Sequence, residues 1–149
     1  MLFRTHIALG VLLGIICFFS FDYNVLVFAT TVFASLLPDI DSTKSFIGNR
    51  FFLRPLQWII KHRGVFHSLT LCFVLSYFIS AVYPFLAFAF FIGYTSHLLL
   101  DSITVEGIVP FWPLGYKTEG VITTGSFTEK MTFWGICIFA VIFLFLKLF

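Results

Sequence analysis

The side chains able to do chemistry in this sequence are few: four histidines, His6, His62, His67 and His97, and the aspartates Asp39, Asp41 and Asp101 that stand among them along the chain. Imidazole nitrogen and carboxylate oxygen are the usual ligands of zinc and related divalent ions in hydrolytic sites. In His97-x-x-x-Asp101 the spacing puts both groups on one helix face, within reach of one ion or of two adjacent ions. Asp39 and Asp41 follow Pro38 directly. Alternating across an extended turn, they suit a bridging carboxylate beside one that supports a ligand from behind.

Taken singly, each residue has an ordinary explanation. A histidine near a helix start is often a cap or an interface residue. A carboxylate at a helix C-terminus is often solvated, although it opposes the helix dipole and so asks for a compensating cation. The case for a metal therefore rests on whether the elements bring these residues together.

Composition sets what those elements are. The 149 residues suit one domain, but 60% are hydrophobic, only 11% are charged and 23 are Phe, with a mean hydropathy of +1.04. So few charges cannot cover a soluble surface. Apolar runs approaching the ~20 residues that cross a bilayer recur, and the chain reads as an all-α integral membrane protein with five short spans, roughly 5–21, 24–37, 67–83, 84–101 and 132–149. The first two are short, which a bundle tolerates where it thins the membrane locally. Pro38 ends the second. The tight joint at Tyr83-Pro84 makes the third and fourth antiparallel neighbours. Gly107, Pro110, Pro113, Gly115, Gly120 and Gly125 mark residues 102–131 as a loop.

Residues 43–66 are the most basic stretch. Arg50, Arg54, Gln57 and Lys61 fall on one helical stripe among apolar neighbours, which predicts an amphipathic helix in the interface plane, confined by Pro55 to the part after it. Phe18, Phe19, Phe21 and Tyr23 fill the place where a signal-peptide cleavage site needs small residues, so the first run is expected to be retained. Cys17, Cys72 and Cys137 lie in separate apolar runs without CxxC spacing and read as packing residues. The net charge of +2 is too small to argue for nucleic acid.

With the N-terminus inside, Arg4, Lys44, Arg50, Arg54, Lys61, Arg63, Lys117 and Lys130 fall on the inner side and Lys147 alone on the outer, which predicts a cytoplasmic N-terminus. The arginines at 50, 54 and 63 satisfy that bias and are also suited to anionic head groups or a substrate phosphate. Trp58 and Trp112 are expected in the aromatic belt. The same topology sends His6, Asp39, Asp41, His62, His67, His97 and Asp101 to one level, the inner edge, although no histidine entered the charge count. An ionisable group at the bilayer centre costs roughly 2.5 to 3.5 kcal/mol on insertion scales. Several converging from separate helix ends need partners even at the edge, and a divalent ion is the partner their chemistry fits.

Leu36-Leu37-Pro38-Asp39-Ile40-Asp41, Lys61-His62-Arg63-Gly64-Val65-Phe66-His67-Ser68 and Gly93-Tyr94-Thr95-Ser96-His97-Leu98-Leu99-Leu100-Asp101 resemble, in order and spacing, blocks of the YdjM-like inner-membrane family, described as metal-dependent hydrolases. The likeness covers roughly residues 5–135 and departs at Phe66, where many members have Thr. The SHxxxD element is also distantly similar to that of zinc-dependent phospholipase C and single-strand nucleases. These resemblances imply a cytoplasm-facing, membrane-embedded hydrolase of a lipid or lipid-linked phosphoester. His6, Asp39, His62, His67, His97 and Asp101 would bind one to three Zn²⁺ or similar ions, with Asp41 bridging or supporting. Glu129 resembles a late acidic position of the family, a further ligand or base. Two rival readings are a metal or proton transporter, whose polar residues should run through the membrane depth, and a protein whose metal only holds short helices together.

Overall fold

The computed structural model describes residues 1–22, 24–41, 54 and 64–149. Among these the chain is all-helical: α1 (Phe3–Ser20), α2 (Val25–Ala34), α3 (Leu69–Ser80), α4 (Pro84–Ser102) and α5 (Phe127–Leu148), with 3-10 turns at Leu37–Asp41 and Val65–His67. The helices α1, α4 and α5 are long and apolar enough to cross a membrane, while α2 and α3 are apolar but have 10 and 12 residues. The amphipathic helix expected over 43–66 lies almost wholly outside the described residues, and so does His62.

The ends of these helices follow from local chemistry. The Asn24 side chain caps α2 by accepting from Leu26 N–H at 2.9 Å and Val27 N–H at 3.2 Å. Ser68 caps α3 by accepting from Leu71 N–H at 3.2 Å. Pro84 opens α4, where its missing N–H costs nothing. The segment around Asp39 and Asp41 is a 3-10 turn and not the extended turn the sequence suggested: once α2 stops at Ala34, the chain tightens instead of straightening.

In lipid, helices associate through close packing more than through water exclusion, and small residues at crossings let backbones approach. A Cβ at Gly93 of α4 would lie 2.2 Å from the Thr31 carbonyl oxygen of α2, and one at Gly10 of α1 would lie 2.1 Å from Ser35 Oγ. These two glycines therefore press α1 and α4 onto the end of α2. Ala34, Cys72, Phe90, Tyr94 and Leu98 form the adjoining core.

Residues 103–126 carry two isolated bridges, Thr104 with Ile122 and Ile108 with Thr118. Gly107 has φ +60, and a Cβ there would meet the Thr118 carbonyl oxygen at 1.7 Å, so this tight crossing requires glycine.

Candidate metal centre

His6 stands in the first turns of α1, Asp39 and Asp41 in the 3-10 turn after α2, His67 in the turn before α3, and His97 and Asp101 near the end of α4. Two antiparallel pairs, α1 with α2 and α3 with α4, bring these points to one end of the bundle. All are buried but Asp39, whose side chain is 14% exposed.

Each position is fixed by a contact that the packing supplies. One turn from Gly93, His97 points its Nδ1 at the Ser35 carbonyl oxygen, 2.8 Å away. A carbonyl only accepts, so the proton sits on Nδ1 and the Nε2 lone pair of the neutral ring faces the centre of the site. The Tyr94 hydroxyl donates to the Phe66 carbonyl at 2.6 Å and so holds the turn that carries His67. His67 Nδ1 lies 3.3 Å from Asp41 Oδ2, which draws the ring proton to that side and again leaves Nε2 facing inward. Asp41 is thus placed to support a ligand from behind. Thr104 Oγ1 donates to the Asp101 carbonyl at 2.7 Å and secures the end of α4.

Four inward atoms then meet. His67 Nε2 is 3.3 Å from His97 Nε2 and 3.4 Å from Asp101 Oδ2. The other separations are 3.7 Å for His97 Nε2 to Asp101 Oδ2, and 3.8 and 4.0 Å from Asp39 Oδ1 to His97 Nε2 and His67 Nε2. A tetrahedral ion with ligands at ~2.0 Å has them about 3.3 Å apart, so His67 and His97 with Asp101, or with Asp39, need only contract slightly to hold one. Two neutral imidazoles that face each other through lone pairs repel unless a cation or a proton lies between them.

Asp101 also turns its other oxygen outward. Its Oδ1 pairs with the N-terminal amine and lies 3.3 Å from His6 Nε2. The His6 ring stacks on His97 with centroids 3.8 Å apart, and its buried Nδ1 has no hydrogen-bond partner among the described residues. His6, His97 and Asp101 make one trio of converging ligand atoms, and Asp39, His67 and His97 another. The residues fit a divalent ion.

Protons compete for the same place. Burial disfavours a charged His67, but its contacts with Asp101 and Asp41 outweigh this and raise it to about 9. Burial pushes the Asp39 carboxyl above its ordinary range, partly offset by His6 and His67.

Glu129 borders the site without joining it. Its buried carboxylate accepts from Leu2 N–H, from Gly125 N–H and from Thr5 Oγ1, the last at 3.1 Å, and it belongs to neither converging trio. It clips the start of α5 to the start of α1, one residue from His6. The Ser35 carbonyl, Tyr94 and Thr104 were not singled out from sequence for these supporting roles. A backbone carbonyl leaves no trace in residue type, and the available signal was the glycines one turn from each of His6 and His97.

The profile of the YdjM inner membrane protein family matches residues 1–149. The chain belongs to that family. It is 29% identical over 140 residues to YvsG of Bacillus subtilis (strain 168), an uncharacterised protein, covering 89% of this chain and 88% of the other. It is also 33% identical over 100 residues to inner membrane protein YdjM of Escherichia coli (strain K12), covering 59% of this chain and 50% of that one, with the same figures for YdjM of Shigella flexneri. The match thus takes in only half the length of the YdjM proteins themselves. No solved structure matches the chain. Membership of the YdjM family and the apolar helices agree on an inner-membrane protein.

Proposed function

We propose that this YdjM-family chain is a membrane-embedded, metal-dependent hydrolase whose site lies at the cytoplasmic face and acts on a phosphoester of a lipid or lipid-linked substrate. The observation that carries the metal reading is the meeting of His67 Nε2 and His97 Nε2 at 3.3 Å, with each ring's other nitrogen facing an oxygen, the Asp41 carboxylate at 3.3 Å and the Ser35 carbonyl at 2.8 Å. A divalent ion there supplies Lewis acidity, drawing the pKa of water toward ~7 and polarising a phosphoryl oxygen.

The chain's own residues have separable roles. His67, His97, Asp39 and Asp101 Oδ2 hold the ion, and Asp101 Oδ1 with His6 offers a neighbouring place. Asp41 and the Ser35 carbonyl fix the two rings. Asp39 is the partly exposed member, so substrate approaches over it, and a carboxylate at that edge is placed to take a proton from the attacking water. A site at the end of membrane helices meets lipid phosphates more readily than soluble ones. The excess of Lys and Arg on this side supports a cytoplasmic N-terminus.

A second reading, a metal that only ties short helices together, is favoured by one feature: the site is nearly closed, as structural metal sites are. Transport is less well supported, because the titratable cluster sits at one end of the bundle.

Metal analysis of protein purified in detergent, beside His97→Ala with Asp101→Ala, should find at least one divalent ion per chain in the first and little in the second. Equal, negligible metal in both removes the proposal. Release of phosphate or a phosphorylated head group from a panel of phospholipids and lipid-linked phosphates separates hydrolase from structural site. A metal-loaded protein that turns over none of them, yet unfolds on chelation, favours the latter. Reporter fusions at either terminus test the orientation.

A further inference from the structure

We infer that the loop between α4 and α5 is an anchor in the membrane interface, with the tip formed by Phe111, Trp112, Leu114 and Tyr116 seated among lipid head groups on the side of the metal centre. This inference rests on the membrane class of the chain and is independent of any catalysis.

These four side chains are 60, 40, 79 and 94% exposed. Exposed apolar side chains on a fraying loop mean little, but this stem is built. Ile108 N–H donates to the Thr118 carbonyl at 3.1 Å and Thr118 N–H returns to Ile108 at 2.8 Å. Gly107 and Gly120 sit where any Cβ would strike the facing backbone, Thr118 in one case and Ile103 in the other. A fixed stem that holds large apolar groups outward implies a medium to receive them.

Depth identifies that medium. Leu69, the first residue of α3, donates its N–H to the Pro110 carbonyl at 2.7 Å, so the tip leaves the body at the level where an apolar helix begins. Both ends of the loop run into membrane-crossing helices, and exposed Leu99 and Ile103 continue the lipid-facing surface of α4 into it. Phe, Trp, Leu and Tyr within a few residues, with the exposed Lys117–Glu119 ion pair just beyond, form the amphipathic mixture that settles at head-group level. The occupant this surface fits is therefore the bilayer interface.

The test leaves Trp112 as the only tryptophan, through Trp58→Phe and Trp134→Phe, in full-length protein reconstituted into phosphatidylcholine vesicles. Lipids brominated near the glycerol should quench it at least twofold more than lipids brominated at the chain end, and aqueous iodide should reach it poorly. Leu114→Asp with Tyr116→Asp should weaken quenching by both brominated lipids and open Trp112 to iodide. Ready quenching by iodide with no effect of brominated lipid overturns the inference. Protection from both quenchers, the sign of a protein cover such as a second copy, overturns it as well. A nitroxide on Leu114→Cys, with native cysteines replaced by alanine and all tryptophans kept, gives an independent reading: relaxation mainly by oxygen agrees, and relaxation mainly by a water-soluble nickel chelate contradicts.

Discussion

The helices α4 and α5 are both long and apolar enough to cross a membrane, with 19 and 22 residues, yet they are held in the bundle in different ways. Ten residues of α4 are buried, and they include His97 and Asp101. In α5 the one buried residue is Glu129. Hydrophobicity does not decide which is buried: α5 is the more apolar and the less buried of the two, because lipid is as good a solvent for Phe and Leu as another helix is. Small residues and polar groups separate them. Gly93 admits α4 to the backbone of α2, and the site's ligands then lock it there, whereas α5 lies along α1 through side-chain contacts such as Phe143 on Phe19 and buries only the Glu129 carboxylate at its start.

Changes to α4 should therefore do the greatest harm. Gly93→Leu puts side-chain atoms where the Thr31 carbonyl stands, and overpacking of this kind costs ~1–3 kcal/mol or more. Thermal unfolding in detergent should show that loss together with a fall in bound metal, since Ser35 moves with α2 and releases His97. On α5, Glu129→Gln keeps the shape but gives up charge-assisted hydrogen bonds, and a loss of about 1.5 to 3 kcal/mol is expected. Its metal content should stay at the wild-type level. A Glu129→Gln protein that folds normally but cannot hold metal would make Glu129 a ligand after all and erase the contrast between the helices.

A smaller effect concerns pH. His67 is raised from its ordinary value to about 9, so in metal-free protein it contributes stability that is complete below about 6.5 and is lost as pH climbs through about 9. Metal binding must displace that proton and should strengthen across the same range. Across that range stability should fall with pH in the presence of a chelator and stay nearly level with the metal bound, and parallel slopes would separate His67 from the ion. The smallest effect should come from the lipid-facing side of α5. Ile138→Ala is expected to change stability by less than about 0.5 kcal/mol and leave metal binding untouched. A loss several times larger would mean that α5 has a protein partner there.

Much of the site could be read from sequence because alternation of spans is a counting argument. His6 opens one apolar run, Asp39 and Asp41 close the next, His67 opens the third and Asp101 closes the fourth, so their meeting required only antiparallel neighbours. The start of α5 was placed at 132 because Glu129 and Lys130 delay the apolar pattern. The structure begins it at Phe127, where Ser126 Oγ accepts from Glu129 N–H at 3.3 Å, and the Ser-x-x-Glu spacing was the available signal. Glu129 itself was carried over from a family resemblance as a ligand or base, and the fold sets it against Leu2, Thr5 and Gly125. No local pattern could have shown this, because those partners lie on α1 and in the loop. The bridges of residues 103–126 were hidden for the same reason: composition marks a loop there, but pairing across its stem depends on contacts distant in sequence.

X-ray absorption at the metal edge of protein purified with its ion tests the central claim most directly. The account predicts a first shell of nitrogen and oxygen at about 2.0 to 2.2 Å with the outer-shell pattern of two or more imidazoles, which weakens in His67→Ala and in His97→Ala alike. A shell containing sulfur, or one unchanged by both substitutions, would contradict it.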